Sequence, residues 1–283
     1  MKILVTGSDG LVGTSILRQL EEEFDVVPYV ESQWDITSVE QSEVVIREVR
    51  PHVLLNLAAV TDVDGCEDRP ELAYRVNGDA PGLLAEICRR HGTRLVSFST
   101  DYVFDGRKDS PWQETDSPNP VSVYGKSKRL GEEKALAADP RTIIVRTEWI
   151  YGDKGESFIT KVLKRARETG HVEVVDDQTG TPTYARDLAL PIIALIKNEA
   201  HGIYHATNSG SCTWYGFALY LFEHFAMNVT CSPITSADSK RKAVRPSYSV
   251  LDCSKLRSAT GIAMRRWEDA ADEYMGRIVT LQQ

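Results

Sequence analysis

Short apolar runs alternate with segments of helical periodicity along the first half of the chain. Strands are predicted at residues 2–6, 25–30, 52–59, 94–100 and 142–147. Between them, apolar residues recur at intervals of three and four, which predicts helices at 10–23, 38–50, 70–91 and 123–138. This alternation is typical of βαβ units, so the sequence predicts an α/β fold with a Rossmann-type, doubly wound parallel sheet.

The regular alternation loosens after about residue 149. Helices are predicted at 157–168, 185–198 and 213–225, strands at 171–175 and 202–207, and a terminal helix around Trp267 after a Pro/Ser-rich stretch. We predict a dinucleotide-binding domain over 1–150, with part of 170–205 threaded back into it. A smaller α/β C-terminal substrate lobe is formed mostly by 151–283. Tyr215, Leu219 and Phe222 recur at helical spacing, so we interpret them as core packing.

Composition excludes several classes of function. The 283 residues carry a net charge of −8, and a chain this acidic is a poor ligand for nucleic acid or an anionic membrane. The strongly apolar run 188–196 is too short to span a bilayer. The chain starts directly with a strand and shows no signal peptide. The five cysteines are widely spaced without a CxxC, which favours reduced thiols and a cytoplasmic location.

Three glycines, Gly7, Gly10 and Gly13, lie between the first strand and the first helix. A dinucleotide needs a tight turn and close backbone approach at this point, and the helix N-terminus offers free N–H groups to its pyrophosphate. We expect Leu11 and Val12 to line the same loop. A glycine-rich turn without a ligand is the alternative, but the strand before and the helix after favour the binding site. The G-x-x-G-x-x-G spacing is that of the short-chain dehydrogenase/reductase superfamily.

The cofactor is predicted to be NADPH or NADH. An acidic residue after the second strand would bind the adenosine ribose of NADH. Glu31 is close to that place, and Asp35, followed by Ile36, lies a little beyond. The absence of an arginine near the end of this strand favours NADH. The alternative for Glu31 is an exposed loop acid.

Tyr124 and Lys128 are four residues apart on a predicted helix, which places them on one face. Lys126 is predicted to point away. A phenol has a pKa of about 10, and a fixed ammonium nearby would lower it. The phenol could then protonate a carbonyl oxygen as hydride reaches the carbon, and the same lysine could hold the nicotinamide ribose.

A hydroxyl at the end of the fourth strand would complete this catalytic set. Ser99 and Thr100 both stand there, where ligands bind in such sheets. Strand alternation predicts that only one of them faces the pocket. The glycine loop, the hydroxyl and the Tyr124–Lys128 helix follow one another on consecutive βα units, and this order favours an active site over an exposed amphipathic helix.

Six stretches resemble the dTDP-4-dehydrorhamnose reductase family, an extended member of that superfamily: NLAAVTDVD (56–64), STDYVFDG (99–106), VYGKSK (123–128), RTEWIYG (146–152), VVDDQTGTPTYARDLA (174–189) and RPSYSVLD (245–252). The resemblance covers nearly the whole chain. It implies cofactor contacts from Ala58, Ala59, Thr61, Tyr124 and Lys128. It also implies substrate contacts from Thr100, Asp101, Val103, Trp149, Gln178 and Arg245.

The resemblance further implies that Thr100, rather than Ser99, is the catalytic hydroxyl, beside Tyr124 and Lys128. Asn77 lies in a predicted helix interrupted by glycine and proline, and the resemblance implies that it supports a proton relay at the cofactor. The chain departs from the family at Glu148, where a small Ser is usual. This carboxylate either tunes the choice of sugar or faces solvent.

A second departure concerns metal binding. Residues 14–16 read Thr-Ser-Ile where some relatives carry a Glu that helps to bind Mg²⁺ at a dimer interface. We therefore predict no metal, although a homodimer remains possible.

The resemblance implies NAD(P)H-dependent reduction of the 4-keto group of a nucleotide-linked 6-deoxy sugar, with dTDP-4-dehydro-L-rhamnose as the best single substrate. One alternative is an epimerase or dehydratase on another nucleotide sugar, which would copurify with tightly bound cofactor. Another is a non-catalytic regulatory subunit that binds dinucleotide and a partner enzyme.

Overall fold

The computed structural model describes residues 1–281. Its strands are β1 (Lys2–Thr6), β2 (Asp25–Pro28), β3 (Val53–Asn56), β4 (Arg94–Thr100), β5 (Ile143–Thr147), β6 (Ile150–Tyr151), β7 (His171–Val175), β8 (Thr179–Gly180), β9 (Thr183–Tyr184), β10 (Gly202–His205), β11 (Cys212–Thr213) and β12 (Thr230–Ile234). Six of them form a parallel sheet in the order β10-β5-β4-β3-β1-β2. The order reverses between β1 and β3, which confirms the predicted doubly wound fold.

The helices are α1 (Leu11–Glu21), α2 (Val39–Val49), α3 (Val63–Asp68), α4 (Pro70–Ala73), α5 (Ala80–Arg90), α6 (Val123–Ala138), α7 (Phe158–Thr169), α8 (Ala189–Lys197), α9 (Trp214–His224), α10 (Ser254–Thr260) and α11 (Trp267–Leu281). Between α4 and α5 the backbone continues as a π-helical segment, Tyr74–Asp79. The interruption expected in this helix is therefore a widening of the turn, not a break.

Alternate residues of the central strands point to opposite faces of the sheet, as the pleat requires. Ile3 and Val5 pack with α1 and α8 on one face, whereas Leu4 packs with α2 and α5 on the other. Both faces are covered, and the strands are apolar nearly throughout because neither face meets water.

A second core cluster lies outside the sheet. It contains Tyr151 and Tyr184 from short strands, Phe217 from α9 and Tyr274 from α11. The predicted Pro/Ser-rich stretch contributes a strand here, since β12 pairs in parallel with β7. Leu219 corrects the packing expectation for α9, because it is 42% exposed while Phe217 and Leu221 fill the core.

The chain returns from the second cluster to the sheet. β10 pairs with β5, and α8 covers the face that also receives α1. The division into a domain at 1–150, with part of 170–205 threaded back into it, and a lobe formed mostly by 151–283 stays a prediction. Within residues 1–281, no helix combines the length and apolar character needed to cross a membrane.

Candidate active site

A cavity of about 640 Å³ opens at the carboxyl ends of the sheet strands. This is the place where open parallel sheets bind ligands, and the volume is that of a typical small-molecule site. Its lining includes most of the residues predicted from the sequence: Gly7, Gly10, Leu11, Val12, Gly13, Glu31, Asp35, Ile36, Ala58, Ala59, Thr61, Thr100, Asp101, Tyr124 and Trp149.

The glycine loop is shaped for close backbone contact. Gly7 has φ +61°, and a Cβ there would lie 2.9 Å from the Ala58 nitrogen. At Gly13 a Cβ would lie 2.6 Å from the Gly7 oxygen. Gly10 caps α1 without a side-chain hydrogen bond, so the first N–H groups of this helix are open to a ligand. The loop therefore fits a dinucleotide pyrophosphate, which would take these N–H groups at the positive end of the helix dipole.

The two candidate ribose-binding acids differ in their surroundings. Asp35 Oδ1 accepts hydrogen bonds from the Thr37 hydroxyl, at 2.7 Å, and the Thr37 nitrogen, at 2.9 Å. These bonds lower the pKa of Asp35 and occupy one of its oxygens. Glu31 is exposed at the cavity. Of the two, Glu31 is the freer to reorient towards a ribose.

Helix α6 places its two lysines, Lys126 and Lys128, in different surroundings. Its N-cap Ser122 accepts a hydrogen bond from the Gly125 nitrogen at 3.1 Å, which fixes where the helix begins. Lys128 is then buried, whereas Lys126 is exposed to solvent. Lys128 Nζ donates to the Phe98 carbonyl at 2.7 Å, and this contact ties α6 to β4. Lys128 thus lies behind the lining residues, on the same side of α6 as Tyr124.

The electrostatics differ from the prediction for Tyr124. Burial raises the pKa of its phenol, and although the Thr100 hydroxyl lowers it, nearby Asp101 raises it further. Burial lowers the pKa of Lys128 to about 8, against the opposing charge of Glu132. The expected lowering of the phenol pKa is therefore not found, because burial is the largest influence on Tyr124 and raises its pKa.

Thr100 and Ser99 have different neighbours, although both contribute to the cavity wall. The Thr100 hydroxyl donates to Asp101 Oδ1 at 2.8 Å and lies close enough to Tyr124 to influence its phenol. Ser99 faces Glu132 instead. Thr100 is thus the hydroxyl beside the phenol.

A buried ion pair between Glu132 and Arg146 stabilises α6. Glu132 receives two hydrogen bonds of 2.7 Å from the Arg146 guanidinium. Burial would raise the pKa of Glu132, but Arg146 outweighs it and the net shift is downwards. The carboxylate therefore stays ionised one helical turn beyond Lys128.

Two stacked indoles form part of the cavity wall. Trp149 and Trp214 lie parallel with centroids 3.5 Å apart. Trp149 has φ +48°, an uncommon conformation for a bulky residue that often marks a functional site. Gly180 makes room for this ring, since a Cβ there would lie 2.5 Å from it. Trp214 was missed in the sequence because its helix reads as an apolar core helix.

Several predicted residues do not reach the cavity. Val103 is fully buried with Phe104 and Trp112, and this packing corrects the prediction that its side chain contacts substrate. Gln178 donates to Ser236 at 2.7 Å, and Arg245 pairs with Asp64 at 2.8 Å. The substrate contacts of Gln178 and Arg245 stay predictions.

The side chain of Asn77 is hydrogen-bonded to other residues of the protein. Its amide donates to the Val60 oxygen and accepts from the Val60 nitrogen, both at 2.9 Å, and lies 3.3 Å from Ser127. It therefore holds the loop after β3 against α6. Within the described part of the chain, no group of three or more His, Cys, Asp or Glu side chains is placed to hold a metal ion.

The strand order, the glycine loop and the Tyr124–Lys128 helix together define an oxidoreductase of the short-chain dehydrogenase/reductase type. A family model described as "RmlD substrate binding domain" matches residues 1–279. The chain belongs to this family, that of the dTDP-4-dehydrorhamnose reductases.

Known relatives extend over the full length. A dTDP-4-dehydrorhamnose reductase of Mycobacterium tuberculosis is 39% identical, covering 95% of this chain and 90% of the relative. A probable dTDP-4,6-dihydroxy-2-methyloxan-3-one 4-ketoreductase of Streptomyces antibioticus is 41% identical, covering 100% and 97%. The crystal structure of dTDP-4-dehydrorhamnose reductase from Bacillus anthracis in complex with NADP superimposes with a TM-score of 0.94 at 34% identity, covering 98% and 99%.

Proposed function

We propose that the protein uses NADPH or NADH to reduce the 4-keto group of a nucleotide-linked 6-deoxy sugar, with dTDP-4-dehydro-L-rhamnose as the first candidate. The observation that carries this proposal is the convergence of Tyr124, Thr100, Trp149 and the glycine loop on one cavity. The relatives that carry the reductase name support the same activity.

Each part of the cavity has a distinct role. The glycine loop and the α1 N-terminus hold the pyrophosphate of the cofactor, which supplies a hydride to the sugar C4. Tyr124 gives its phenolic proton to the ketone oxygen, and Thr100 hydrogen-bonds that oxygen. Lys128 lends positive charge to the region in which the phenolate forms. The stacked indoles of Trp149 and Trp214 form the wall beside the sugar. Asp101 is the expected contact to the sugar, and Arg245 is the expected contact to the diphosphate.

The test is direct. Purified protein is mixed with the dTDP-linked 4-keto sugar and either NADH or NADPH, and cofactor absorbance is followed. We expect oxidation of at least one cofactor, and a loss of at least about 100-fold in Tyr124→Phe, as for removal of a general acid. Folded wild-type protein that oxidises neither cofactor would reject the proposal.

A 4-ketoreductase for a different dTDP-linked deoxysugar is the second candidate, supported by the Streptomyces antibioticus relative. Comparison of kcat/KM for several 4-keto sugars distinguishes the two. The homodimer and the cytoplasmic location stay predictions, as does the absence of a metal.

A further inference from the structure

Two buried carboxyl groups lie at the substrate end of the cavity, and the steps above use neither of them as an acid. Asp101 and Glu148 both line the cavity, yet each is only 2% exposed. Glu148 therefore does not face solvent, which removes one of the two roles that its sequence position left open. A buried carboxyl needs hydrogen bonds or a proton.

A hydrogen bond connects Asp101 to the catalytic hydroxyl, and Ser249 connects Glu148 to the same region. Asp101 Oδ1 is 2.8 Å from the Thr100 hydroxyl, which is itself beside Tyr124. Ser249 donates to Glu148 Oε2 at 3.0 Å, and it also lowers the pKa of Asp101. Asp101 Oδ2 is buried without a hydrogen-bond partner among the described residues. A chain of polar groups thus runs from Tyr124 through Thr100 to the acid pair.

The surroundings of the two carboxyls favour a state in which one of them is protonated and therefore neutral. Burial raises the pKa of Glu148 well above its ordinary value, and the charge of Asp101 raises it further. Burial likewise raises the pKa of Asp101 to about 7, against the hydrogen bonds of Ser249 and Thr100 that lower it. When two close carboxyls are both desolvated, the second ionisation is the costly one.

The surrounding titratable groups do not offset this effect. Burial raises the pKa of each phenol and thiol around the pair, so that all stay neutral near pH 7: Tyr102, Tyr124, Tyr248, Cys212 and Cys253. The cations have other partners, since Lys128 donates to Phe98, Arg146 pairs with Glu132 and Arg245 pairs with Asp64.

We propose that Asp101 and Glu148 hold one proton between them, and that this proton replaces, through the Thr100 hydroxyl, the one that Tyr124 gives to the substrate. The Tyr124 O–H bond breaks as the ketone oxygen is protonated. The Thr100 hydroxyl turns from Asp101 to the phenolate and gives it its proton, and the Thr100 oxygen takes the proton of Asp101 across their 2.8 Å contact. The pair is left as two carboxylates and regains one proton from solvent after the product leaves.

The relay rests on the proposed reductase function, whereas the shared proton does not, and the two can be measured apart. Infrared spectra of the substrate-free protein report the C=O stretch of a protonated carboxylic acid. We expect this band at pH 7 in the wild type. Its titration midpoint should fall by at least about one pH unit in Glu148→Gln and in Asp101→Asn, because each leaves a single carboxyl. A wild type without the band, or variants with an unshifted midpoint, would refute the shared proton.

Kinetics then test the relay. In the wild type, kcat should fall as the pH rises through the titration of the pair. In Glu148→Gln this fall should begin at least about one unit lower, with KM changed less than about threefold. A uniform loss of kcat at all pH values, or a change in KM alone, would assign Glu148 a purely structural role. Asp101→Asn removes the proton donor and should lower kcat even at low pH, so it carries the test if Glu148→Gln does not fold.

Lys126→Ala is the matched control and should leave the profile unchanged. A wild type that turns over no substrate would reject the reductase function, while the infrared titration would still decide whether the proton is shared.

Discussion

At the scale of single residues, the two lysines of α6 give a sharp comparison. Lys128 is buried behind Tyr124, and Lys126 is exposed one half-turn away. We expect Lys128→Ala to lower kcat/KM by about 100-fold or more, because the phenolate then forms without a nearby cation. Lys126→Ala should stay within about twofold of wild type. Steady-state kinetics at pH 7 measure both, and equal losses would contradict the assignment.

Glu31 governs the prediction of cofactor preference. Its carboxylate lies at the cavity and would accept hydrogen bonds from the adenosine ribose of NADH, whereas it would repel a 2′-phosphate. We expect Glu31→Gln to weaken NADH about tenfold, equal to about 1.4 kcal/mol, and to leave NADPH unchanged or improve it. Titration of each cofactor by fluorescence measures this, with exposed Glu21→Gln as control. Equal effects on both cofactors would place Glu31 away from the ribose.

The sequence predicts where Lys126, Lys128 and Glu31 lie because this information is local. Helical periodicity separates Lys126 from Lys128, and strand-to-loop position identifies Glu31. The burial of Glu148 was not predictable in this way. It depends on Ser249 and Leu251, which approach from about a hundred positions further along the chain.

At the scale of elements, β8 shapes the part of the cavity wall that contains the stacked indoles. A Cβ on Gly180 would lie 2.5 Å from the Trp149 ring and 2.7 Å from Glu148 Oε2. Gly180→Ala should displace Trp149 from its stack on Trp214, raise the sugar KM about tenfold or more, and cost about 1–3 kcal/mol of stability. Cofactor affinity should not change.

Gly216→Ala is the matched control for this substitution, because its added Cβ would lie at least 3.4 Å from its neighbours. Tryptophan fluorescence and sugar kinetics report the effect. An unchanged KM together with an unchanged emission spectrum would show that the indole stack does not depend on the glycine.

The sequence predicts elements with strong periodicity and misses those defined by pairing partners. β1, β4 and α6 were predicted at their observed bounds or close to them. β12 was missed because its Pro/Ser-rich sequence becomes a strand only through its pairing with β7, about sixty residues away. The π-helical turn at Tyr74–Asp79 was read as a break, since glycine and proline mark both.

At the scale of the whole molecule, a buried histidine links stability to pH. His205 is fully buried, and burial, followed by the charge of Arg146, lowers its pKa to about 3. The unfolded chain, with an ordinary histidine pKa near 6.5, therefore binds the proton first as the pH falls. This histidine should cost about 2 kcal/mol of stability between pH 6.5 and 5.

We expect His205→Gln to be less stable than wild type at pH 7.5 but to lose less stability on acidification. Denaturant unfolding at several pH values between 7.5 and 5 measures the difference. Exposed His201→Gln serves as control. Parallel pH profiles for wild type and His205→Gln would contradict the role of His205. Asp101 and Glu148 bind protons in the folded state and act in the opposite direction, equally in both proteins.

The return of β10 and α8 to the sheet limits how such a protein can evolve. The second half of the chain is not simply appended after the first, since β10 completes an edge of the sheet and α8 covers one face. Recombination at residue 150 would leave the β5 edge unpaired and the apolar surface beneath α8 bare, a state prone to aggregation. We therefore expect new sugar specificities in this lineage to arise by point changes around Glu148, Trp149 and Trp214, not by exchange of a whole lobe.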